Sequence, residues 1–418
     1  MQPGCDDPPE RAPLAAFPAA RRPWHTLDRA WYHDLEVYRA EVERIWRRGW
    51  LFVGHDCEIP SPGDYFTYSV DGDELIVVRQ ADGSVKALHN VCRHRGSVLV
   101  EEARGSLGCL VCPYHQWVYE TDGRLRACRG MGAEVDRSEL SLKPAHAREL
   151  EGLVYVCLAE EPPDFGPTAR LMGPLARPQG FAGAKVAFSA EYEVSANWKL
   201  VWENNRECYH CDVNHPEYVR ANFDRFEGDA LTPEVAARLA EATAEGEARW
   251  ESAGLSPTHK EAGLFGFPDP ERGVWYSANR TVLAGGFVTE SLDGRRVAPL
   301  MGDYPDEGVG TLRLRTLPNF WCHGSCDHAV TTRLTPAGPR QTRIRVCWLV
   351  ARGAVEGRDY EHDRLLPFWK RTSEQDWLIC ERQQRGVDSR AYGPGPLSRE
   401  REYNVEAFLR WYLRELGC

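Results

Sequence analysis

The sequence lacks the features that would place the chain in a membrane or on nucleic acid. No apolar run approaches the ~20 residues that a membrane-spanning helix needs. The stretch from Met1 to Arg22 has no apolar segment of the secretory type, so we expect a flexible leader and a cytoplasmic protein. The net charge is −11 and no Lys/Arg-rich tract is present, which argues against binding to nucleic-acid phosphates.

The sequence also lacks the motifs by which a chain binds a nicotinamide or flavin nucleotide. No G-x-G-x-x-G opens a helix after a strand, and no C-x4-C-x2-C ferredoxin spacing occurs. By these motifs the chain has no NAD(P)H or flavin site of its own.

What the sequence does contain predicts an α+β protein of three segments. Residues 1–49 are the leader followed by a helix, predicted over residues 28–49, that we expect to pack on the catalytic domain. Residues 50–160 have short β-type runs separated by Asp-Gly pairs, typical of a small antiparallel β domain. Residues 161–418 mix strands and helices without regular alternation, which favours a larger α+β domain over a doubly wound parallel sheet.

The first cluster of chemically active residues comes from two short motifs, CRHRG and CPYHQW. They supply Cys92 and His94, then Cys112 and His115. Two thiolates and two imidazoles suit an iron–sulfur cluster in which the cysteines hold one iron and the histidines the other. A structural zinc site is the alternative, because Cys109 and Cys112 form a C-x2-C pair.

The second cluster lies in the segment NWKLVWENNRECYHCDVNHPE. His210 and His215 lie five residues apart, so they can face one metal only if the helix ends or distorts between them. Two histidines and one carboxylate form the facial triad of non-haem Fe(II), which leaves positions open for O2 and substrate. Asp376, in a later helical stretch, is the candidate carboxylate, with a solvated helix face as the alternative.

Together the two clusters resemble the alpha subunits of Rieske non-haem iron oxygenases. The first matches the Rieske motif C-x-H-x(16–17)-C-x2-H, and the second matches E/D-x2-H-x4-H with a C-terminal Asp. The resemblance implies a helix-grip (START-like) catalytic domain, and His210, His215 and Asp376 as iron ligands. It also implies that Glu207 bridges this iron to the Rieske histidine of a neighbouring subunit in a homotrimer. Because the chain has no nucleotide-binding motif, we expect electrons from NAD(P)H to reach it through a separate reductase with a flavin and a plant-type [2Fe–2S] domain.

Within that family, the segments at 203–211, 317–321 and 393–398 resemble the branch of glycine betaine monooxygenase and stachydrine (proline betaine) demethylase. The resemblance implies oxidative N-demethylation of a small betaine with O2 and release of formaldehyde. Hydroxylation of an aromatic ring or of an amino-acid-like metabolite stays open as the alternative.

A quaternary ammonium group has no N–H to donate, so its recognition depends on cation–π contacts and on shape, whereas a betaine carboxylate suits an Arg fork. Core packing is the alternative for each aromatic candidate. The candidate substrate-binding residues are Trp202, Tyr209, Trp275, Arg280 and Trp321.

Overall fold

The computed structural model describes residues 21–132, 135–224, 226, 231–256 and 275–418. The predicted leader lies outside the described residues apart from its last two positions. None of the helices within those ranges is long and apolar enough to cross a membrane.

The segment predicted as one helix over residues 28–49 forms two short helices and a turn. α1 spans Ala30–His33, α2 spans Leu35–Glu41, and a π-helical turn covers Val42–Trp46. The break falls at Asp34, because its carboxylate caps α2 by accepting the backbone N–H of Glu36 at 2.7 Å.

Ten strands follow this helical segment. They are β1 (Leu51–His55), β2 (Asp64–Val70), β3 (Asp73–Arg79), β4 (Val85–His89), β5 (Arg104–Ser106), β6 (Leu110–Val111), β7 (Val118–Tyr119), β8 (Leu125–Ala127), β9 (Pro144–Leu150) and β10 (Leu153–Cys157).

These strands form two antiparallel sheets, as the Asp-Gly punctuation predicts. Seven of them order as β1-β10-β9-β4-β3-β2-β5, and β6-β7-β8 make a three-stranded sheet. The tight turn between β2 and β3 needs two residues with positive φ, which Asp71 (46°) and Gly72 (85°) supply.

The rest of the chain contains one large sheet and eight helices among the described residues. The strands are β11 (Ala184–Val194), β12 (Tyr276–Thr281), β13 (Thr311–Thr316), β14 (Phe320–Gly324), β15 (His328–Gly338) and β16 (Gln341–Ala351). The helices are α3 (Gly166–Ala176), α4 (Trp198–Asn205), α5 (Cys211–Asn214), α6 (Tyr218–Ala221), α7 (Pro233–Ser252), α8 (His362–Leu365), α9 (Pro367–Val387) and α10 (Tyr403–Leu416).

The six strands order as β11-β16-β15-β14-β13-β12, and every pairing is antiparallel. The long helix α9 packs against α4 and β11, which places the C-terminal carboxylate candidate beside the histidine segment. The observed α+β fold, with a small antiparallel β domain and a larger mixed domain, confirms the predicted fold class.

Side chains tie the N-terminal segment and the β domain to the large sheet. Trp46 packs edge-on against Trp198 with ring centroids 5.3 Å apart. The side-chain amide of Asn319 donates to the carbonyl of Phe52 at 2.8 Å and accepts its N–H at 2.9 Å. The domain boundaries at residues 49 and 160 stay predictions.

Candidate metal centres

The two Cys/His loops have the same backbone construction. In each loop the N–H four residues after the cysteine donates to the cysteine carbonyl, from Gly96 to Cys92 at 2.9 Å and from Gln116 to Cys112 at 3.0 Å. That fourth residue has positive φ in both, 78° at Gly96 and 58° at Gln116. Both loops therefore close tightly around their cysteine.

The four side chains converge on one place. Cys92 and Cys112 are buried, and the rings of His94 and His115 lie 4.7 Å apart between centroids. His94 stacks on Trp117, and its Nδ1 is buried without a hydrogen-bond partner among the described residues. An orphaned imidazole nitrogen beside two buried thiols fits a cluster that both residue types ligate.

The histidine pair sits around a helix end. α4 ends at Asn205, and α5 is a single turn from Cys211 to Asn214. His210 precedes that turn and His215 follows it in a non-helical conformation (φ −127°, ψ 68°). The interruption expected from the five-residue spacing is thus present.

Three ligand atoms meet beside α9. His210 Nε2 and His215 Nε2 lie 3.1 Å apart, and Asp376 Oδ1 lies 3.3 Å from the first and 3.0 Å from the second. Burial acts to lower the pKa of His210, but Asp376 and Glu207 outweigh it and raise that pKa to about 10.

The opposite nitrogens of both imidazoles are held by acceptors. His210 Nδ1 lies 2.6 Å from Glu207 Oε1, and His215 Nδ1 lies 2.7 Å from Gln375 Oε1. Because these oxygens accept, each Nδ1 carries a proton, and each Nε2 lies toward Asp376. The raised pKa of His210 keeps a second proton on its Nε2 at neutral pH, and a metal cation would displace that proton. Two imidazole nitrogens and a carboxylate oxygen at one point fit a metal cation.

Cys211 also lies at this centre, with its Sγ within 4.8 Å of the histidine ligand atoms. However, Cys211 forms a disulfide with Cys208. A thiolate is the metal-binding form of cysteine, so the free carboxylate of Asp376 is the better third ligand.

A cavity of about 70 Å³ opens beside the His/Asp centre. One water needs at least ~10–15 Å³ on the same scale, so a small molecule of several non-hydrogen atoms can enter. Besides the centre itself, seven residues on its wall carry the argument below: Arg206, Tyr218, Asp224, Arg313, Arg315, His323 and Trp369.

None of the five predicted substrate-binding residues lines this cavity. Trp202 packs on Trp321 with centroids 5.3 Å apart, Tyr209 is exposed, and Trp275 borders a different cavity. Arg280 lies away from the cavity and donates hydrogen bonds to the Val309 carbonyl at 2.9 Å and to the Tyr304 hydroxyl at 3.1 Å.

Sequence reasoning missed Arg313, Arg315, Trp369 and Gln375. One signal was available for the arginines, since TLRLRT alternates apolar and charged residues as a strand with two different faces does.

Two family models match the chain. The Rieske [2Fe–2S] domain matches residues 49–141, and the ring hydroxylating alpha subunit (catalytic domain) matches residues 181–417. The fold and the two centres define a Rieske non-haem iron oxygenase. The chain belongs to the ring-hydroxylating alpha subunits, as the resemblance implied.

Two relatives, 39% and 36% identical to the chain, span nearly its whole length. The glycine betaine monooxygenase oxygenase subunit of Chromohalobacter salexigens is 39% identical over 390 residues, which cover 93% of this chain and 85% of the relative. That of Pseudomonas aeruginosa strain UCBPP-PA14 is 36% identical over 413 residues, covering 97% and 93%. The chain is accordingly a Rieske monooxygenase with a [2Fe–2S] cluster, a mononuclear iron, O2 as co-substrate and a separate reductase.

A solved structure supports the fold independently. A quaternary ammonium Rieske monooxygenase in complex with L-carnitine superimposes with a TM-score of 0.67 at 20% identity, over 94% of this chain and 95% of the other.

Proposed function

We propose that this enzyme hydroxylates an N-methyl group of a small betaine, of the glycine betaine or proline betaine type, and thereby removes it as formaldehyde. The observation that carries the proposal is the polar, charged wall of the cavity beside the His/Asp centre. Buried guanidinium groups and an imidazole suit a small zwitterion and are a poor lining for an aromatic hydrocarbon. The glycine betaine monooxygenase subunits among the relatives support the same substrate class.

In this proposal each residue of the two centres holds or orients a group. Cys92, Cys112, His94 and His115 hold the cluster. His210, His215 and Asp376 hold the iron, whose imidazole ligands are oriented by Glu207 and Gln375.

When bound, the reduced cluster and the Fe(II) would supply one electron each, so that one atom of O2 enters a C–H bond of the substrate and the other leaves as water with two protons from solvent. A hydroxylated N-methyl group then collapses to formaldehyde and the demethylated amine.

Aromatic side chains of the cavity can receive the ammonium group. Trp369 lies beside His323 with ring centroids 4.2 Å apart, and Tyr218 lies 5.8 Å from Trp369. Faces of this kind attract a quaternary ammonium by ~0.5–2 kcal/mol each. These two residues, rather than those predicted from the sequence, are the proposed cation-binding surface.

We also propose the head-to-tail homotrimer. Apolar side chains are exposed beside the cluster loops at Val98, Val111 and Tyr114, and again beside Glu207 at Tyr209 and Val213. Exposed apolar residues around both centres suit an interface that brings the cluster of one subunit to Glu207 of the next. Glu207 then bridges the two centres, with one oxygen already on His210.

The compartment we propose is the cytoplasm. Eleven cysteines are free within the described part of the chain, which suits a reducing environment.

A single-turnover assay tests the substrate class without the unidentified reductase. Iron-loaded enzyme is reduced chemically, freed of reductant and mixed with O2 and glycine betaine, proline betaine or naphthalene. Formaldehyde from a betaine supports the proposal. A diol from naphthalene, with no formaldehyde from either betaine, would support the aromatic-ring alternative instead.

A further inference from the structure

The strand β13 presents two arginines to the cavity, and only one of them has protein partners for its guanidinium within the described residues. Leu312 and Leu314 point into the hydrophobic core, so Arg313 and Arg315 share the other face of the strand. The two terminal nitrogens of Arg313 have partners: Nη1 forms an ion pair with Asp224, and Nη2 donates to the Tyr218 hydroxyl at 3.2 Å and to Asn222 Oδ1 at 3.0 Å.

Arg315 has no such partner among the described residues. Only 4% of the residue is exposed, yet its guanidinium takes part in no hydrogen bond or ion pair among the described residues, and its Nε is buried without an acceptor. The acidic group that acts most strongly on it, Asp224, is already paired with Arg313. An uncompensated buried charge is strongly unfavourable, so the position calls for an anion from outside the protein fold.

The surroundings of Arg315 add positive potential. Burial and then the charge of Arg313 lower the pKa of Arg315 to about 10, so the group stays a cation at neutral pH. Arg206 also lines the cavity, and burial followed by repulsion from Arg315 lowers the pKa of its guanidinium. Two cations that repel each other across one cavity are both stabilised when a carboxylate enters.

We propose that Arg315 binds the substrate's carboxylate inside this cavity and thereby selects betaines over quaternary ammonium compounds that lack an acid group. The inference rests on the proposed function. A guanidinium offers two parallel N–H donors to a carboxylate, which fixes direction as well as position. With the carboxylate held at β13, the N-methyl groups of a short betaine face the His/Asp centre and the ring of Trp369.

Arg280 provides a matched comparison within the same sheet. It lies on the neighbouring strand β12 and is as buried as Arg315, but it donates to Val309 and Tyr304 and does not line the cavity. Arg280 is therefore a structural arginine, and Arg280→Lys controls for the loss of a buried guanidinium.

The test is calorimetric binding of glycine betaine, choline and acetate to the anaerobic, iron-loaded enzyme. Arg315→Met is compared with Arg315→Lys, Arg280→Lys and the wild type, and thermal unfolding checks that each variant is folded. Choline has the same trimethylammonium group without the carboxylate, and acetate has the carboxylate without the ammonium.

Arg315→Met should weaken glycine betaine binding roughly 10- to 100-fold, in line with the loss of a charged hydrogen-bonded pair. Choline binding should change by less than about 3-fold, and acetate should lose its competition with glycine betaine. Arg315→Lys should be intermediate, since it keeps the charge but not the fork. Arg280→Lys should leave all three affinities as in the wild type.

Equal weakening of glycine betaine and choline in Arg315→Met, or no weakening of either, would overturn the assignment while leaving N-demethylation intact. If the wild type binds no quaternary ammonium compound, the proposed function fails instead. In that case the acetate measurement tests the anion site at Arg315 by itself. Acetate that binds to the wild type but not to Arg315→Met supports the site, and no acetate binding to the wild type overturns it.

Discussion

At the residue scale, the second centre is defined by which nitrogen of each histidine carries the proton. Gln375 and Glu207 accept the Nδ1 protons at 2.7 and 2.6 Å, so the Nε2 atoms face Asp376. The two Nε2 atoms and Asp376 Oδ1 lie within 3.3 Å of one another, and without a metal cation protons hold this cluster together, because Asp376 raises the pKa of both histidines. The site therefore gains most from metal binding and competes for protons when empty.

His210→Ala should abolish turnover and remove the mononuclear iron while leaving the cluster in place. Iron analysis should fall from about three to about two irons per chain, with an unchanged Rieske EPR signal. His146→Ala, on β9 away from both centres, is the control. Retention of full iron content in His210→Ala would contradict the assignment.

Glu207→Gln should keep both metals but slow electron transfer between the centres, because the neutral amide no longer holds the proton of His210 Nδ1 as a carboxylate does. We expect turnover to fall by at least ~10-fold at unchanged iron content. Stopped-flow absorbance of the cluster measures this step. Near-normal turnover would remove the bridging role of Glu207.

How far the sequence could predict the site depends on where its residues come from. The cluster loops and the His210–His215 segment are local motifs, so their spacing carries the chemistry. Asp376 required a family resemblance, because 161 residues separate it from His215. Arg315 and Trp369 reach the cavity only through sheet register and helix packing, which composition does not reveal, and aromatic content alone led to Trp202 and Trp275.

At the element scale, local chemistry decided where helices stop. Asp34 caps α2 and splits a segment that periodicity reads as continuous, and Pro367 in the first turn of α9 separates it from α8. The sequence predicts strands more closely: its β-type runs at Val85–His89 and Thr311–Thr316 coincide with β4 and β13. Strand bounds follow from apolar and turn residues, whereas helix ends depend on single side chains.

The junction between β1 and the large sheet should be sensitive to one buried carboxylate. Glu58 accepts from the Arg345 guanidinium on β16 at 2.5 Å and lies 3.1 Å from His55 Nδ1. Glu58→Gln leaves Arg345 uncompensated, so we expect a loss of about 3 kcal/mol in the free energy of unfolding. Urea denaturation measures this loss. The control is Glu149→Gln, which breaks the more exposed ion pair between Arg79 and Glu149 (2.8 Å) and should cost under ~1 kcal/mol.

The same pair sets a pH dependence. Burial acts to raise the pKa of Glu58, but His55 and Arg345 outweigh it and hold that pKa well below its ordinary value. The stabilisation is therefore complete above the unfolded pKa of about 4.3 and is lost as pH falls toward the folded value. The difference in the free energy of unfolding between the wild type and Glu58→Gln should narrow below about pH 4. A gap that widens there would contradict this account.

At the scale of the whole molecule, both centres lie near surfaces that carry exposed apolar side chains. Tyr114 beside the cluster loops and Val213 beside Glu207 are the most exposed of these. The proposed head-to-tail ring would cover both sets of residues at once.

Mixed assemblies should therefore recover activity that neither parent has. Cys92→Ala subunits lack the cluster and His210→Ala subunits lack the iron, so each is inactive alone. Co-expressed chains should regain a fraction of wild-type turnover, because an intact cluster in one subunit can serve an intact iron centre in its neighbour. Zero activity in mixed trimers of verified composition would indicate that electrons pass within a single chain.

The central claim is that the cluster gives its electron to the iron centre to demethylate a betaine. Freeze-quench EPR of the fully reduced enzyme, mixed with O2 in the presence or absence of glycine betaine, measures this directly. The account predicts that the Rieske signal disappears in step with formaldehyde, about one cluster oxidised per formaldehyde, and only when the betaine is present. Cluster oxidation at the same rate without the betaine, and with no formaldehyde formed, would contradict it.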